Sequence, residues 1–329
     1  MRFPLIAVLT AALTAAWTLA VPVAAADPLP SWNDTEAKAR ITAFVDTVTD
    51  PASADYVPLP ARIAVFDNDG TLWAEQPIYF QFLFALDRLK AMGEADPSVL
   101  SSDVLRAAAA GDLDTVSAAG DEGLLEVVST THSGITVEAF IAETRAWIDT
   151  AAHPETGRPI AAMTYQPMLE LLRYLRDEGF TTYIVSGGGV HFMRAFAAEA
   201  YNIPPQNVIG SSVNAGYEVA SEGPAITKEP GVFFLDDKEG KPIAIDLRIG
   251  RRPIFAAGNS DGDFQMLEWT TAGEGARFGL IVHHTDAERE WAYDRESHVG
   301  RLERGLDEGP DRGWLIVDMA RDWGRVWSD

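Results

Sequence analysis

Short apolar runs constrain the fold of this 329-residue chain more than any other feature of its sequence. The first, residues 63–66, is uninterrupted and is followed at once by acidic residues and Gly70; similar runs recur at 182–185, 208–213, 254–257 and 278–282. Runs of this length are typical of parallel strands buried on both faces. A helical pattern that begins at Pro167 and ends at Gly179 leads into the second run. The alternation predicts an α/β fold with a Rossmann-like parallel sheet.

More than a hundred residues separate the first two runs, far more than one crossover helix needs. Their periodic stretches are helical, since Val137, Phe140, Ile141 and Ile148 share one helical face. We therefore expect an inserted helical cap at residues 78–163, and an α/β core made of residues 27–77 and 164–329. A second, smaller insertion from Asn214 to Lys241 is expected to be a β excursion.

The beginning of the chain resembles a secretory signal. Arg2 is followed by a long uncharged stretch that ends in three alanines, so residues 1–26 are predicted to be a signal peptide, with a retained membrane anchor as the alternative. We expect a periplasmic or secreted protein with no membrane association after cleavage. The chain has 26 Lys and Arg against 49 Asp and Glu, a formal charge of −23, which would repel nucleic acid. Small solutes or proteins remain as partners.

The most specific motif is the segment from Phe66 to Leu72, which reads FDNDGTL and directly follows the first predicted strand. Ligands bind at the carboxyl ends of strands in open α/β sheets. Asp67 and Asp69 would repel each other unless a cation or a shared proton relieved them, and Mg²⁺ prefers such oxygen ligands. Asp67 could then attack phosphorus while Asp69 protonates the leaving alcohol and later activates water. An acidic turn without chemistry is the alternative.

A second motif follows the second predicted strand. Ser186 precedes three glycines, and a hydroxyl followed by exposed backbone N–H groups at a helix start is suited to bind phosphate. A flexible glycine turn is the alternative for this segment.

Together, these two motifs resemble those of the haloacid dehalogenase superfamily, specifically its aspartate-nucleophile phosphatases. The resemblance implies that Ser186, Gly187 and Thr71 hold the phosphoryl oxygens. It also implies a lysine beside the nucleophile. Lys241 is preferred for this role because Pro242 would suit the start of a packed helix, and Lys238 is the alternative.

The resemblance places the last motif at residues 258–263, which read GNSDGD. Family members usually carry an aspartate directly after the first glycine and another four residues later, and these positions are Asn259 and Asp263 here. The implied Mg²⁺ ligands are therefore Asp67, Asp69, Asn259 and Asp263. Asn259 is a departure that lowers the ligand charge, and Asp261 is the alternative ligand.

The position of the cap resembles that of the phosphoserine phosphatase branch, in which a glutamate shortly after the first motif binds the substrate ammonium. Gln76 is in register with that glutamate and Glu75 lies beside it, so phosphoserine is not implied as the substrate. We expect a Mg²⁺-dependent phosphatase that acts on a small soluble phosphomonoester. Dehalogenation is disfavoured because it does not need Asp69. The rival interpretation is a non-catalytic secreted binding protein that retains the phosphatase fold.

Overall fold

The computed structural model describes residues 26–221 and 223–328. The predicted signal peptide therefore lies outside the described residues except for Ala26, and it stays a prediction. Within residues 26–221 and 223–328, no helix is both long and apolar enough to cross a bilayer.

Eight strands form a single sheet in the described residues. They are β1 (Ile63–Phe66), β2 (Ile135–Thr136), β3 (Thr181–Gly189), β4 (Val208–Ala220), β5 (Gly223–Phe234), β6 (Phe255–Gly258), β7 (Phe278–His283) and β8 (Leu315–Asp318). Their order is β2-β5-β4-β3-β1-β6-β7-β8. In this order, the six strands β4, β3, β1, β6, β7 and β8 pair in parallel with their neighbours. Strands β5 and β2 are added at the β4 side and pair antiparallel.

The predicted α/β fold with a parallel sheet is confirmed, and all five predicted runs are strands. Strand β8 escaped prediction because it is a four-residue edge strand with alternating burial. From β1 the chain proceeds to β3 and β4 on one side and later to β6, β7 and β8 on the other. Such a reversal leaves a crevice at the carboxyl ends of the central strands, where ligands bind.

Helices cover both faces of the sheet and fill the insertion. They are α1 (Glu36–Thr49), α2 (Phe80–Ala95), α3 (Asp103–Ala110), α4 (Leu113–Ala118), α5 (Gly120–Thr131), α6 (Val137–Ile148), α7 (Gln166–Asp177), α8 (Val190–Arg194), α9 (Ala197–Tyr201), α10 (Gly240–Ile249), α11 (Phe264–Thr271), α12 (Arg304–Glu308) and α13 (Met319–Asp322). In α7, proline occupies the first turn, where its missing N–H costs no hydrogen bond.

The core lies on both faces of the sheet because the central strands are apolar throughout. All four residues of β1 are buried. On one face Phe44 of α1 packs against Phe255 and Phe278, and on the other Val65 belongs to a cluster with Ile245 of α10. A rigid central sheet of this kind fixes the loops at its carboxyl edge.

Five helices, α2 to α6, lie between β1 and α7, as expected of an inserted helical cap. Helices α2, α3, α4 and α5 enclose a separate apolar cluster that includes Leu89, Leu105 and Val127. The exact division of the chain at residues 77/78 and 163/164 stays a prediction.

The second insertion is a long hairpin of β4 and β5. Strand β2 pairs with β5 in this hairpin, so the cap is joined to the sheet by backbone hydrogen bonding.

Candidate active site

The first motif lies at the carboxyl end of β1, in the centre of the sheet. The amide of Asp67 donates to Ala257 O at 2.9 Å, which joins the loop to β6. The chain then turns at Gly70, whose backbone φ of +70° is rarely adopted by residues that carry a side chain. The turn brings Trp73 back, and its indole Nε1 donates to Asp69 Oδ1 at 2.8 Å. Asp67 and Asp69 are thus held by backbone and side-chain contacts at the expected edge.

Lys241, in the first turn of α10, contacts the acid that follows β1. Its side chain is 2% exposed, and Nζ donates to Asp67 Oδ1 at 2.8 Å and to Asp263 Oδ1 at 2.5 Å. Lys238, the alternative considered from sequence, is exposed and has a positive φ of 49°. The structure therefore brings Lys241, and not Lys238, to Asp67.

The charges around Lys241 do not balance within the described side chains. Burial would lower the pKa of Lys241, but Asp263 and Asp67 outweigh burial and raise it above its ordinary value. Burial and Asp263 raise the pKa of Asp67, against the opposing effect of Lys241. One ammonium group cannot neutralise two buried carboxylates, and Asp69 adds a third nearby. A further cation, or a bound proton, would relieve this excess of negative charge.

The loop after β6 carries the last motif and is folded around Asp263. Asp263 Oδ2 accepts hydrogen bonds from the amides of Asn259 and Ser260, at 2.9 and 3.0 Å. Because its other oxygen contacts Lys241, Asp263 is engaged in positioning the loop and the lysine. Its predicted role as a metal ligand stays a prediction.

Asp261 points away from this centre. Its carboxylate accepts from the amides of Glu303, Arg304 and Gly305, where α12 begins. Asp261, the alternative metal ligand predicted from sequence, therefore caps the start of α12.

Asn259 faces the first motif. Its Oδ1 accepts from Thr71 Oγ1 at 3.1 Å, and its Nδ2 donates to Glu75 Oε1 at 2.6 Å. Thr71 is fully buried and its hydroxyl donates to Asn259, and its role in holding a phosphoryl oxygen stays a prediction. The turn at Gly70 carries Thr71 inward, where it contacts the loop after β6 that carries Asn259.

The serine and glycine segment forms the end of β3, and α8 begins directly after it with Gly189 at its N-cap. Its register against β4 shifts between Ser186 and Gly189. Ser186 is 1% exposed, its Oγ accepts from the Gly188 amide at 3.2 Å, and Gly187 is exposed. A Cβ on Gly188 would lie 3.4 Å from Asp69 Oδ2, so this segment and the first motif share one crevice.

The donor set fits Mg²⁺. Asp67, Asp69 and the amide oxygen of Asn259 are hard oxygen donors at one sheet edge, and a bound cation would relieve the excess negative charge there. Among the described residues, no three His, Asp or Glu side chains converge as a complete cage. Mg²⁺ does not need one, since it keeps several waters and binds through one or two carboxylates.

The model of the haloacid dehalogenase-like hydrolase family matches residues 64–268, which span the three predicted motifs and Lys241. The chain belongs to this family. The match confirms the resemblance inferred from the motifs. No curated protein sequence matches the chain.

Solved structures resemble this haloacid dehalogenase-like hydrolase at low identity. A conserved protein of unknown function from Anaerococcus prevotii DSM 20548 is 18% identical, with a TM-score of 0.53 over 79% of this chain and 88% of that chain. A protein of unknown function from Bordetella pertussis Tohama I is 19% identical, with a TM-score of 0.45 over 78% of this chain and 98% of that chain. A phosphoserine phosphohydrolase-like protein from Francisella tularensis subsp. tularensis SCHU S4 is 18% identical, with a TM-score of 0.37 over 67% and 87%. The first likeness supports the fold.

Sequence reasoning about this hydrolase missed a polar residue of the cap that reaches the crevice. Gln81 of α2 accepts from the Gly189 amide at 2.6 Å, and its Nε2 lies 3.0 Å from His132 Nε2 at the end of α5. The signal was a lone glutamine between Phe80 and Phe82, both of which are buried.

A second buried acid near the site, Asp236, was also missed. It is fully buried, and neither carboxylate oxygen has a hydrogen-bond partner among the described residues. Burial raises the pKa of Asp236 to about 7, against the opposing effect of Lys241.

Gln76, which is in register with an ammonium-binding glutamate, and its neighbour Glu75 both form hydrogen bonds within the protein. Gln76 Nε2 donates to Val299 O at 3.0 Å, and Glu75 is 2% exposed. Tyr293 OH donates to Glu75 Oε1 at 2.8 Å. Burial raises the pKa of Glu75 well above its ordinary value. These contacts give no support to phosphoserine as the substrate.

Proposed function

We propose that this hydrolase is a Mg²⁺-dependent phosphatase that acts on small soluble phosphomonoesters through an aspartyl-phosphate on Asp67. The carrying observation is the contact of Lys241 Nζ with Asp67 Oδ1 at 2.8 Å, at the edge where Asp69, Asn259 and Ser186 also meet. A carboxylate beside a buried cation, with a second acid two residues on, suits phosphoryl transfer by attack of an acid.

In this proposal an oxygen of Asp67 forms a bond to phosphorus as the bond from phosphorus to the leaving alcohol breaks. Asp69 gives its proton to that alcohol and then takes a proton from water, whose oxygen displaces Asp67 and releases inorganic phosphate. Ser186 and the Gly187 backbone bind phosphoryl oxygens, and Lys241 neutralises charge on Asp67. Asp67, Asp69 and Asn259 would hold Mg²⁺, which when bound adds charge neutralisation.

The cellular location of the protein and the range of its substrates belong to the same proposal. The apolar start of the sequence supports export to the periplasm or the exterior. The helices α2 to α6 over the crevice support a preference for small soluble esters, since a cap excludes water and large substrates.

The test is hydrolysis of para-nitrophenyl phosphate by the protein without residues 1–26. Activity is expected with Mg²⁺ and not with EDTA, and Asp67→Asn should lose more than about 99% of turnover because an amide cannot attack phosphorus. Asp261→Asn is the matched control, since Asp261 contacts the start of α12 and should leave most activity. A wild-type protein inactive with Mg²⁺ would favour the non-catalytic binding protein, and an active Asp67→Asn would exclude Asp67 as nucleophile.

A further inference from the structure

Asn259, where this chain departs from its family, is in contact with a buried acid from another segment. Glu75 Oε1 accepts from Asn259 Nδ2 at 2.6 Å and from Tyr293 OH at 2.8 Å. The Glu75 side chain is 2% exposed and the Asn259 side chain 1%. The site thus holds a carboxylate next to the position where relatives usually carry one.

The partners of Asn259 fix the orientation of its amide. A carboxylate accepts hydrogen bonds, so the atom that faces Glu75 must be a donor, Nδ2. The other atom, Oδ1, then lies toward Thr71, whose hydroxyl donates to it at 3.1 Å. An oxygen accepts more than one interaction, so Oδ1 keeps a lone pair for a cation.

Glu75 has little room to move away. A Cβ added to Gly70 would lie 2.3 Å from Glu75 Oε1, and one added to Gly300 would lie 1.8 Å from it. An aspartate at position 259 would place two carboxylate oxygens where 2.6 Å now separates donor and acceptor. Two buried carboxylates at that distance cannot both be ionised. An aspartate at position 259 would also lack the Nδ2 donor that Glu75 accepts from, so the two positions suit one acid and one amide.

We propose that Glu75 and Asn259 form one acid–amide pair, in which Glu75 accepts from Asn259 Nδ2 and thereby orients the Asn259 amide oxygen for Mg²⁺. Glu75 is then a positioning residue that acts through Asn259. The inference rests on the Mg²⁺ dependence of the proposed function. It has the consequence that the acid and the amide can be exchanged between the two positions, whereas a second acid cannot be added.

The test measures Mg²⁺ affinity by isothermal titration calorimetry and the metal-free Tm in EDTA, neither of which uses turnover. Glu75→Gln keeps an oxygen that can accept from Asn259 and Tyr293, so the metal-free Tm should change little. Mg²⁺ binding should weaken about 10-fold or more, as is usual for loss of a residue that supports a ligand. Asn259→Asp should lower the metal-free Tm by several degrees, because it adds a carboxylate against Glu75.

The double variant Glu75→Gln/Asn259→Asp is the decisive arm. It again pairs one acid with one amide, so both the Mg²⁺ affinity and the metal-free Tm should recover toward wild type. Glu170→Gln is the matched control, since Glu170 is another buried acid, 2% exposed, both of whose carboxylate oxygens accept hydrogen bonds from Ser31, so an amide there loses one acceptor. That variant should lose stability without losing Mg²⁺ affinity.

Three outcomes overturn the inference, and the last of them, unlike the first two, also overturns the proposed function. If wild type binds Mg²⁺ but the effects of the two single changes simply add in the double variant, the pair does not exist while the proposed function stands. The same holds if Asn259→Asp alone tightens Mg²⁺ binding with an unchanged metal-free Tm. If wild type binds no Mg²⁺ and hydrolyses no phosphomonoester, both the inference and the proposed function fail.

Discussion

Asp69 is half-buried, and one of its carboxylate oxygens accepts a hydrogen bond from Trp73. Trp73 Nε1 donates to Oδ1 at 2.8 Å, while Oδ2 lies on the side of Gly188 and the serine and glycine segment. Burial raises the pKa of Asp69, more than the Trp73 hydrogen bond lowers it. A carboxyl group that keeps its proton more readily than usual is suited to protonate a leaving group.

Asp69→Asn should therefore slow esters of alkyl alcohols far more than esters of nitrophenol, because nitrophenolate leaves without a proton. We expect kcat/KM to fall about 100-fold or more for an alkyl phosphate and less than about 10-fold for para-nitrophenyl phosphate. Steady-state kinetics over a series of leaving groups measures the difference. Equal losses across the series would remove the general-acid role from Asp69.

At the level of the elements, two cap helices hold the serine and glycine segment through one chain of hydrogen bonds. The Gly189 amide donates to Gln81 Oε1, and Gln81 Nε2 donates to His132 Nε2. His132 Nδ1 then donates to Thr131 Oγ1 at 2.9 Å, because that hydroxyl donates to Val127 O. The chain requires the neutral imidazole with its proton on Nδ1.

Because His132 is held neutral, we expect the stability of the protein to fall in mild acid. Burial, with help from Lys228 and Arg88, lowers the pKa of His132 to about 3. Between pH 6.5 and 3 the unfolded chain binds a proton at His132 and the folded chain does not, so stability decreases as the pH falls through this window. From pH 7 to pH 5, His132 should account for about 2 kcal/mol of the loss.

Chemical unfolding at pH 7 and pH 5 measures this contribution. His132→Gln should reduce the difference in unfolding free energy between the two pH values, whatever it does to stability at pH 7. His298→Gln, at an exposed position, is the control that should leave the difference unchanged. An unaltered pH dependence in His132→Gln would show that the imidazole is not held neutral.

At the scale of the whole molecule, the sequence predicted the sheet well because its central strands are buried on both faces. Such strands are apolar at every position, as in β1, and so they are visible without knowledge of their neighbours. Strand β8 is buried on alternate residues at the sheet edge, and the hairpin β4–β5 is largely exposed, so their signals were weaker.

The site was predictable where its residues are local in sequence and obscure where they are not. Asp67 and Asp69 follow one strand directly, and Pro242 indicated that Lys241 begins a helix. The partners of Asn259 could not be predicted, because Glu75 lies 184 positions from it, and Tyr293 lies 218 positions from Glu75. No local pattern records contacts of that separation.

The cap and the hairpin are joined, since Thr136 of β2 pairs with Thr227 of β5. If they move together during turnover, a covalent bond between them should do no harm. The chain has no cysteine, so Thr136→Cys/Thr227→Cys would contain the sole thiol pair, and antiparallel neighbours have a separation that suits a disulfide.

The oxidised and reduced forms of this variant should differ in kcat by less than about twofold, since no opening step is blocked. Thr136→Cys alone controls for changes at the start of α6. A large loss on oxidation, reversed by reductant, would mean that the cap swings against a fixed hairpin.

The join between β2 and β5 also determines how the molecule can be taken apart. The cap and the hairpin leave the core at distant points of the chain, yet they meet again at β2 and where Lys228 Nζ lies 4.4 Å from the centre of the Phe140 ring. A cap grafted alone onto another scaffold would therefore expose an unpaired strand and an uncovered aromatic face. For protein engineering, the two insertions are one cassette that has to be transplanted whole.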